Sequence, residues 1–538
     1  MGIPSYFSHI IRNYSNIIRS LKHFDEQSVK FQHLFMDCNS IVYDAVHSMN
    51  YEGDPSLFEA EIIKYVIQKI EEYISSINPT HTVFIAFDGV APFAKMEQQR
   101  TRRHKTQFMA NVSFDEQTSE QPKWNTTAIT PGTDFMQKLS DSITYAFSFV
   151  EEKYNVQNVI VSTSSDPGEG EHKLFEYMRN NDMKQDNIAL YGLDSDLIML
   201  SIFHLDYCSN IFVFREAPEF LKSSLPVDVS TANNEPYFLD MKHLATSIIS
   251  EMSCVDHHIN RVYDYVFLCF FLGNDFLPHF PSMNIRTHGI DTLLTIYRNV
   301  IGKYPGKFII TENNTISWNN LRKIISFVSQ NEKSYLEQEY AKRKKFDHYK
   351  FAETTSAEKD KLFQNTPIVY RSQELYISPH MEGWENRYYK TLFKKNPDEK
   401  FIKTVCNNYL EALEWVFLYY TKGCVNWRWK YNYHYPPLFK DLLQYIPHFE
   451  TNFVSYSNEP AFSPQTQLSY VLPMSSHQYL HNKIETFLSK NYKELYSSNI
   501  QFEWAFCRYF WEAHPVLPNI DVGLLSQWDR QFKLMASS

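Results

Sequence analysis

Carboxylates recur in five short segments of this sequence, each beside glycine or a small residue. They are Phe35-Met36-Asp37-Cys38-Asn39, Ala86-Phe87-Asp88-Gly89, Pro167-Gly168-Glu169-Gly170-Glu171-His172, Tyr191-Gly192-Leu193-Asp194-Ser195-Asp196 and Phe271-Leu272-Gly273-Asn274-Asp275. Glycine on both sides of Glu169 lets the backbone fold so that Glu169 and Glu171 reach one pocket. Asp194 and Asp196 are two apart at a strand end, so in extended chain their carboxylates point to one side. Like charges packed together are costly unless cations neutralise them. A cluster of Asp37, Asp88, Glu169, Glu171, Asp194, Asp196 and Asp275 is therefore expected to hold metal, and oxygen-only donors point to Mg²⁺ or Mn²⁺. Two such ions, about 3.5–4 Å apart, activate a water and stabilise the leaving oxygen of a phosphodiester. A single Asp after a strand also serves as a turn or N-cap residue, but five separate segments weaken that account. His172, at a helix start, reads as structural.

A cationic stripe begins beside the second acidic segment. Lys95, Gln99, Arg102 and Arg103 are spaced i, i+4, i+7, i+8, which puts them on one helix face. No acid lies between Gln98 and Phe114 to neutralise Arg100, Arg102, Arg103, His104 and Lys105, so the stretch is a candidate footprint for a nucleic-acid end; the alternative is a solvated basic helix. Further on, the run from Gly423 to Tyr435 contains Trp427, Trp429, Tyr431 and Tyr433. Such rings stack on the bases of single strands, although each position alone reads equally as core.

These residues need elements to hold them. Short apolar runs at His33–Met36, Thr82–Phe87, Asn158–Thr163, Ile188–Leu193 and Ile211–Phe214 alternate with helical patterns at Ala60–Ile77, Pro92–Ala110, Phe135–Tyr154 and Gly170–Met178. That alternation predicts an α/β fold with a mostly parallel sheet, in which ligands collect at the carboxyl ends of strands. Three of the runs end in acid, at Asp37, Asp88 and Asp194. After about residue 240 the pattern turns mainly helical, and 331–363 is so dense in Lys and Glu that it predicts an exposed helical excursion. The expected division is 1–240 for the sheet domain and 241–538 for the helical segment that completes the site.

At 538 residues the chain exceeds the size of a single hydrophobic core. Its 43% hydrophobic and 21% charged residues exclude a disordered chain. A net charge of −10 argues against a broad duplex-coating surface while permitting a local basic site. Seven scattered cysteines without a C-x-x-C pair suggest neither disulfides nor zinc. The expectation is a soluble, monomeric protein without a secretory signal or membrane contact, placed in the cytoplasm with the nucleus left open.

Taken in order, the motifs resemble those of the Xrn 5′→3′ exoribonucleases. The matching stretches run from Met1 to Phe7, through Asp37-Cys38-Asn39, Ala86 to Pro92, Gln98 to Arg103 and Ile129 to Thr133. They continue with Pro167 to Lys173, Tyr191 to Leu197, Phe271 to Pro278 and the aromatic block Trp415 to Leu442. The resemblance implies a PIN-like nuclease core with the seven carboxylates binding two divalent cations, Mg²⁺ with Mn²⁺ as the alternative. It also implies that Lys95, Gln99, Arg102 and Arg103 hold the 5′-phosphate, that Trp427 and Trp429 stack on bases, and that the substrate is single-stranded RNA with a 5′-monophosphate, released as mononucleotides after decapping or endonucleolytic cleavage. Where the family has a histidine that stacks on the first nucleotide, this chain has Tyr43; Ser195 replaces the alanine between the paired aspartates, and Asp166 is an added acid. Cellular members continue into further domains beyond this length, so the resemblance implies a compact, virus-like nuclease core. A flap-type DNA nuclease and a non-catalytic RNA-binding module are the competing readings, distinguished by the aromatic block and by the intact acid set.

Overall fold

The computed structural model describes residues 2–3, 5–112, 123–216, 236–496 and 499–537. Of the motifs above, Met1 and Pro4 lie outside the described residues. The central sheet has the order β1-β7-β6-β5-β2-β3-β4, with β1 Ile18–Ser20, β2 His33–Asp37, β3 Thr82–Ala86, β4 Asn158–Ser162, β5 Asn187–Tyr191, β6 Asn210–Arg215 and β7 Tyr237–Asp240. The strands β4, β3, β2, β5 and β6 run parallel, in the register Phe35 opposite Phe84 and Leu190. Strand β7 adds antiparallel to β6, and β1 antiparallel to β7. The parallel α/β sheet expected from the sequence is present; the two antiparallel edge strands are additions.

Alternation across β2 and β3 explains why both runs are apolar throughout. Leu34, Met36, Val83 and Ile85 face one core, shared with the helices Asn39–Ser48 and Pro55–Ile77. Phe35 and Phe84 face the other, shared with the helices Gly170–Asn180, Asp196–Phe203 and Asn260–Cys269. A strand covered on both sides has no polar face to display. The Pro55–Ile77 helix shows how the crossovers are specified: the Asp54 side chain accepts from Ser56 N–H and Leu57 N–H, Pro55 opens the first turn, and left-handed Asn78 ends the last. Between them Phe58, Ile62, Val66, Ile70 and Ile74 recur every fourth residue and are buried.

The second half is mainly helical, as expected, and shares the larger core, which extends from Ile3 to Val454. Residues 462–532 then return to the first half. Phe462, Leu468, Tyr470 and Trp528 bury against Val90, Phe93 and Met96, and Gln467 accepts the Ala91 N–H.

Residues 344–363 are exposed or half-buried, but the exposed charged excursion expected over 331–363 needs correction in its first part. The helix Trp318–Lys344 buries Glu332, Leu336, Glu339, Tyr340 and Arg343. Its charges have internal partners that no local pattern reveals: Glu332 accepts the N–H groups of Phe439 and Lys440, and Arg343 donates to both oxygens of Glu374 at 2.9 and 2.6 Å. The seven cysteines are free thiols.

Because Glu374 sits at 1% exposure, removing Arg343 takes away its two direct guanidinium bonds and leaves this buried carboxylate only the Phe506 N–H at 2.8 Å and Arg371 at 3.7 Å. Arg343→Ala is expected to destabilise the protein by about 3–5 kcal/mol, and a denaturation midpoint indistinguishable from that of the parent would contradict this.

Candidate active site

The carboxyl ends of β2, β3, β4 and β5 open onto one cavity of about 310 Å³. Asp37, Asp88, Glu169, Glu171, Asp194 and Asp275 line it, and so do Tyr43, Lys95, Gln99, Arg102 and Arg103. The structure thus brings together eleven of the residues singled out by sequence. Asp196 stands just behind: its charge acts on Asp194 and Asp275, but it begins the helix Asp196–Phe203 rather than continuing the strand. The extended geometry assumed for Asp194 and Asp196 is therefore corrected, since Ser195 already has helical backbone.

Backbone contacts fix where the acidic loops stand. Gly89 N–H donates to the Gly168 carbonyl and Gly168 N–H to the Val90 carbonyl, each at 2.8 Å. Gly168 has φ +107°, a conformation that glycine adopts without strain. Gly170 N–H then donates to Asp88 Oδ1 at 2.7 Å, and Asp88 Oδ2 accepts from the Asn39 amide at 2.6 Å. A Cβ on Gly170 would lie 2.5 Å from Asp37 Oδ1, so the missing side chain is what gives the Asp37 carboxylate its place. Asn39, which follows Asp37 in the first motif, was legible there only as a neighbour.

The electrostatics are those of crowded, buried acids. Burial and the adjacent Asp88 and Asp194 push Asp37 well above the ordinary carboxylate range. Glu171 is raised by burial, Glu169 and Asp37, and Asp196 is pushed up to about 7 by burial and Asp275. Lys95 is the counterweight: its ammonium lies 2.5 Å from Glu169 and 2.9 Å from Asp275. Although burial works against charge on both partners, this pairing holds Asp275 low and Lys95 high. Tyr419, from the helix Glu399–Thr421, donates to Glu169 at 2.7 Å. Its ring also stacks on His172 at 3.7 Å, the structural role read for that histidine. Tyr419 had no signal of its own within the aromatic block.

Among the other predicted contacts, Arg103 donates to the Thr130 hydroxyl and to the Ile129 carbonyl, so the wall at 129–131 orients it. Gln99 Oε1 and Arg103 Nε are buried without partners among the described residues. Tyr43 is half-buried at the cavity wall. Trp427 is half-buried and lies against Gly168, 4.0 Å from where a Cβ would stand. Trp429 is different: at 7% exposure it stacks on Trp415, centroids 5.0 Å apart. Its assignment as an open stacking platform is corrected, because it is buried against Trp415 just after the turn at 427–428, while Trp427, in that turn, stays half-exposed.

The donor set is chemically suited to divalent cations. It offers carboxylate oxygens alone, and Asp37 Oδ1 and Asp196 Oδ1 are buried without a hydrogen-bond partner among the described residues. As the side chains stand, with Lys95 between Glu169 and Asp275, no group of three or more His, Cys, Asp or Glu among the described residues is arranged to hold a metal ion. No helix among them is long and apolar enough to cross a membrane.

Comparison with known proteins gives two family matches. Residues 1–217 match the model described as XRN 5′-3′ exonuclease N-terminus, and 256–378 and 377–534 match the Xrn1 helical domain. The chain is 26% identical to 5′-3′ exoribonuclease 2 of Gallus gallus, with 97% of this chain and 69% of that protein aligned. It is 25% identical to 5′-3′ exoribonuclease 1 of Schizosaccharomyces pombe, with 97% of this chain but 48% of that protein aligned. Thus it spans about two thirds of one relative and half of the other. A solved structure titled "The catalytic core of Rad2 in complex with DNA substrate (complex III)" aligns over 91% of this chain at 13% identity and TM-score 0.32, too low a similarity to bear on function.

The loop contact at Gly89 supplies a test. A Cβ there would lie 1.7 Å from the Asp166 carbonyl oxygen, backbone that cannot swing aside. Gly89→Ala is expected to cost about 1–3 kcal/mol or more, far above the fraction of a kcal/mol by which losing glycine's unfolded-state entropy favours alanine. A melting temperature at or above that of the parent protein would refute the contact.

Proposed function

Because the chain belongs to the XRN 5′-3′ exonuclease family, whose members hydrolyse phosphodiester bonds, we propose that it degrades single-stranded RNA bearing a 5′-monophosphate, one nucleotide at a time from that end. The observation that carries this reading is the shared cavity: six of the seven predicted carboxylates, all but Asp196, line the same 310 Å³ space as Gln99, Arg102 and Arg103. Carboxylates and guanidinium groups side by side suit a phosphate at each of two positions, one to be cleaved and one to be held. Decapped or endonucleolytically cut RNA carries such an end.

Arg102 and Arg103 bind the terminal phosphate, Arg103 from a fixed position against Thr130, with the Gln99 amide as a further contact. The walls at Tyr43 and 129–131 bound the cavity beside Arg102 and Arg103, and it is against these walls that a triphosphate or a cap would be rejected. Tyr43 stacks on the first base, in the manner of an aromatic platform for single strands, and the half-exposed Trp427 extends the platform. Asp37, Asp88, Glu169, Glu171, Asp194, Asp196 and Asp275 are the residues that would hold two Mg²⁺ or Mn²⁺ ions. When bound, such ions lower the pKa of a water and stabilise charge on the leaving oxygen. Around them Tyr419 and Asn39 orient Glu169 and Asp88 by hydrogen bonds. Water oxygen bonds to phosphorus, the bond from phosphorus to the 3′-oxygen breaks, that oxygen takes up a proton, and the shortened RNA keeps a new 5′-monophosphate.

The test is degradation of 3′-labelled RNA carrying a 5′-monophosphate or a 5′-triphosphate, with Mg²⁺ or chelator, beside matched single-stranded and branched DNA. Loss of the monophosphate RNA alone, and only with metal, is the expected result; cleavage of branched DNA in preference would reassign the chain to flap-type nucleases, and RNA binding without cleavage to a non-catalytic role. Asp194→Ala and Asp196→Ala should each lower the rate at least ~10²-fold while RNA binding persists in filter assays. Arg102→Ala should reduce the preference for monophosphate ends by ~10-fold or more, the loss of one charge-assisted contact.

A further inference from the structure

A second cavity, of about 500 Å³, adjoins the first across the helix Phe93–Val112. Gln98, Arg102 and Asp275 line both. The remaining walls of the second cavity are mixed, with the rings of Phe276, Tyr431, Tyr433 and Trp511 beside polar residues that include Glu97 and Glu512. Phe276 follows Asp275 directly, and its ring lies 5.8 Å from the Lys95 ammonium. The cavity therefore begins one residue from the carboxylate cluster.

We propose that this cavity is an exit site that receives the released nucleoside 5′-monophosphate, its base among Phe276, Tyr433 and Trp511 and its phosphate on Arg102. The inference rests on the nuclease reading above. Volume favours one nucleotide: about 500 Å³ falls within the range of single small-molecule sites. The cations decide between a free nucleotide and a strand. Lys430 is paired with Glu97, and Lys105 donates to the Trp511 and Ala513 carbonyls at 2.5 and 2.8 Å. Only Arg102, which is exposed, has a charged end without a hydrogen bond or ion pair among the described residues. One available guanidinium matches a single phosphate, whereas a bound strand needs cations along its backbone.

Reaction order gives such a site a purpose. Hydrolysis leaves the original 5′-phosphate on the departing mononucleotide, and the new 5′-phosphate of the RNA must take the same place before the next cycle. Arg102 faces both cavities, so the product keeps its phosphate contact while its base crosses the helix. The first pocket is thereby cleared for the advancing strand.

The probe is adenosine 5′-monophosphate, titrated calorimetrically into the whole protein in chelator, where no hydrolysis occurs. Binding to the parent protein is expected to weaken at least ~5-fold in Trp511→Ala and in Tyr433→Ala, the effect of losing one stacking ring. Arg103→Ala is expected to weaken only the nucleotide bound in the 5′-phosphate pocket, so the binding that the two aromatic variants lose is retained in it. Photolabelling of the unmodified protein with 8-azidoadenosine 5′-monophosphate avoids any folding defect: label within 274–278, 430–434 or 511–514 supports the exit site. Label confined to 39–47 and 129–131, binding lost in Arg103→Ala but unchanged in both aromatic variants, or no binding at millimolar nucleotide would each overturn it. Since these readouts need no catalysis, failure of the exit site is distinguishable from failure of the nuclease reading, which the RNA assay alone decides.

Discussion

Seven carboxylates crowded into one region repel one another, and for the four that are buried, Asp37, Glu169, Glu171 and Asp196, each ionised group taken out of water costs several kcal/mol before any partner is counted. The architecture of the molecule answers that constraint. Lys95 brings a buried ammonium between Glu169 and Asp275, and Asn39, the Gly170 N–H and Tyr419 supply hydrogen bonds. Where such partners do not offset it, burial together with neighbouring charge raises the carboxyl above its ordinary range, as at Asp37 and Glu171. Asp275 and Tyr419 come from the helical second half. The two halves of the chain therefore meet at the carboxylates themselves, and neither half alone holds the complete acid set.

Parallel topology makes the crowding possible. Each parallel strand ends at the same edge of the sheet, so the loops after β2, β3, β4 and β5 deliver their acids to one place without long excursions. Two of these loops are then locked together, Gly89 to Gly168 and Gly168 to Val90. Only a residue without a side chain permits that approach, which is why so glycine-poor a chain, with 14 in 538 residues, concentrates glycine here.

Much of this was legible in the sequence because it is local. Strands β2 to β6 declare themselves as apolar runs, and the acids that end three of them, Asp37, Asp88 and Asp194, mark the candidate edge. What was not legible depends on contacts made far along the chain. Strands β1 and β7 have three and four residues and no periodicity to detect; they exist because each completes the other's edge hydrogen bonds. The buried charges of the helix Trp318–Lys344 look solvated until Glu374 and the 439–440 backbone fold against them. Lys95, expected from the family resemblance at the 5′-phosphate, stands between Glu169 and Asp275, and its pairing with Asp275 crosses 180 positions. Trp427 and Trp429 show the limit most plainly, since composition cannot say which of two identical rings two residues apart turns inward.

The helix Phe93–Val112 carries the longest-range dependence. Side chains three and four apart stand on one face, so Lys95, Gln99, Arg102 and Arg103 form the wall of one cavity, while Ala94, Gln98, Thr101, Arg102 and Lys105 form the wall of the other. A partition of this kind works only if the helix cannot rotate about its axis. Three anchors from the C-terminal part prevent it: the Gln467 side chain takes the Ala91 N–H, the Pro518 carbonyl takes Arg100, and the Trp511 and Ala513 carbonyls take Lys105. These anchors lie before the helix, near its middle and one turn further on, so a twist that satisfied one would break another. Arg102 keeps its place between the two cavities because residues some 400 positions later hold the backbone on either side of it.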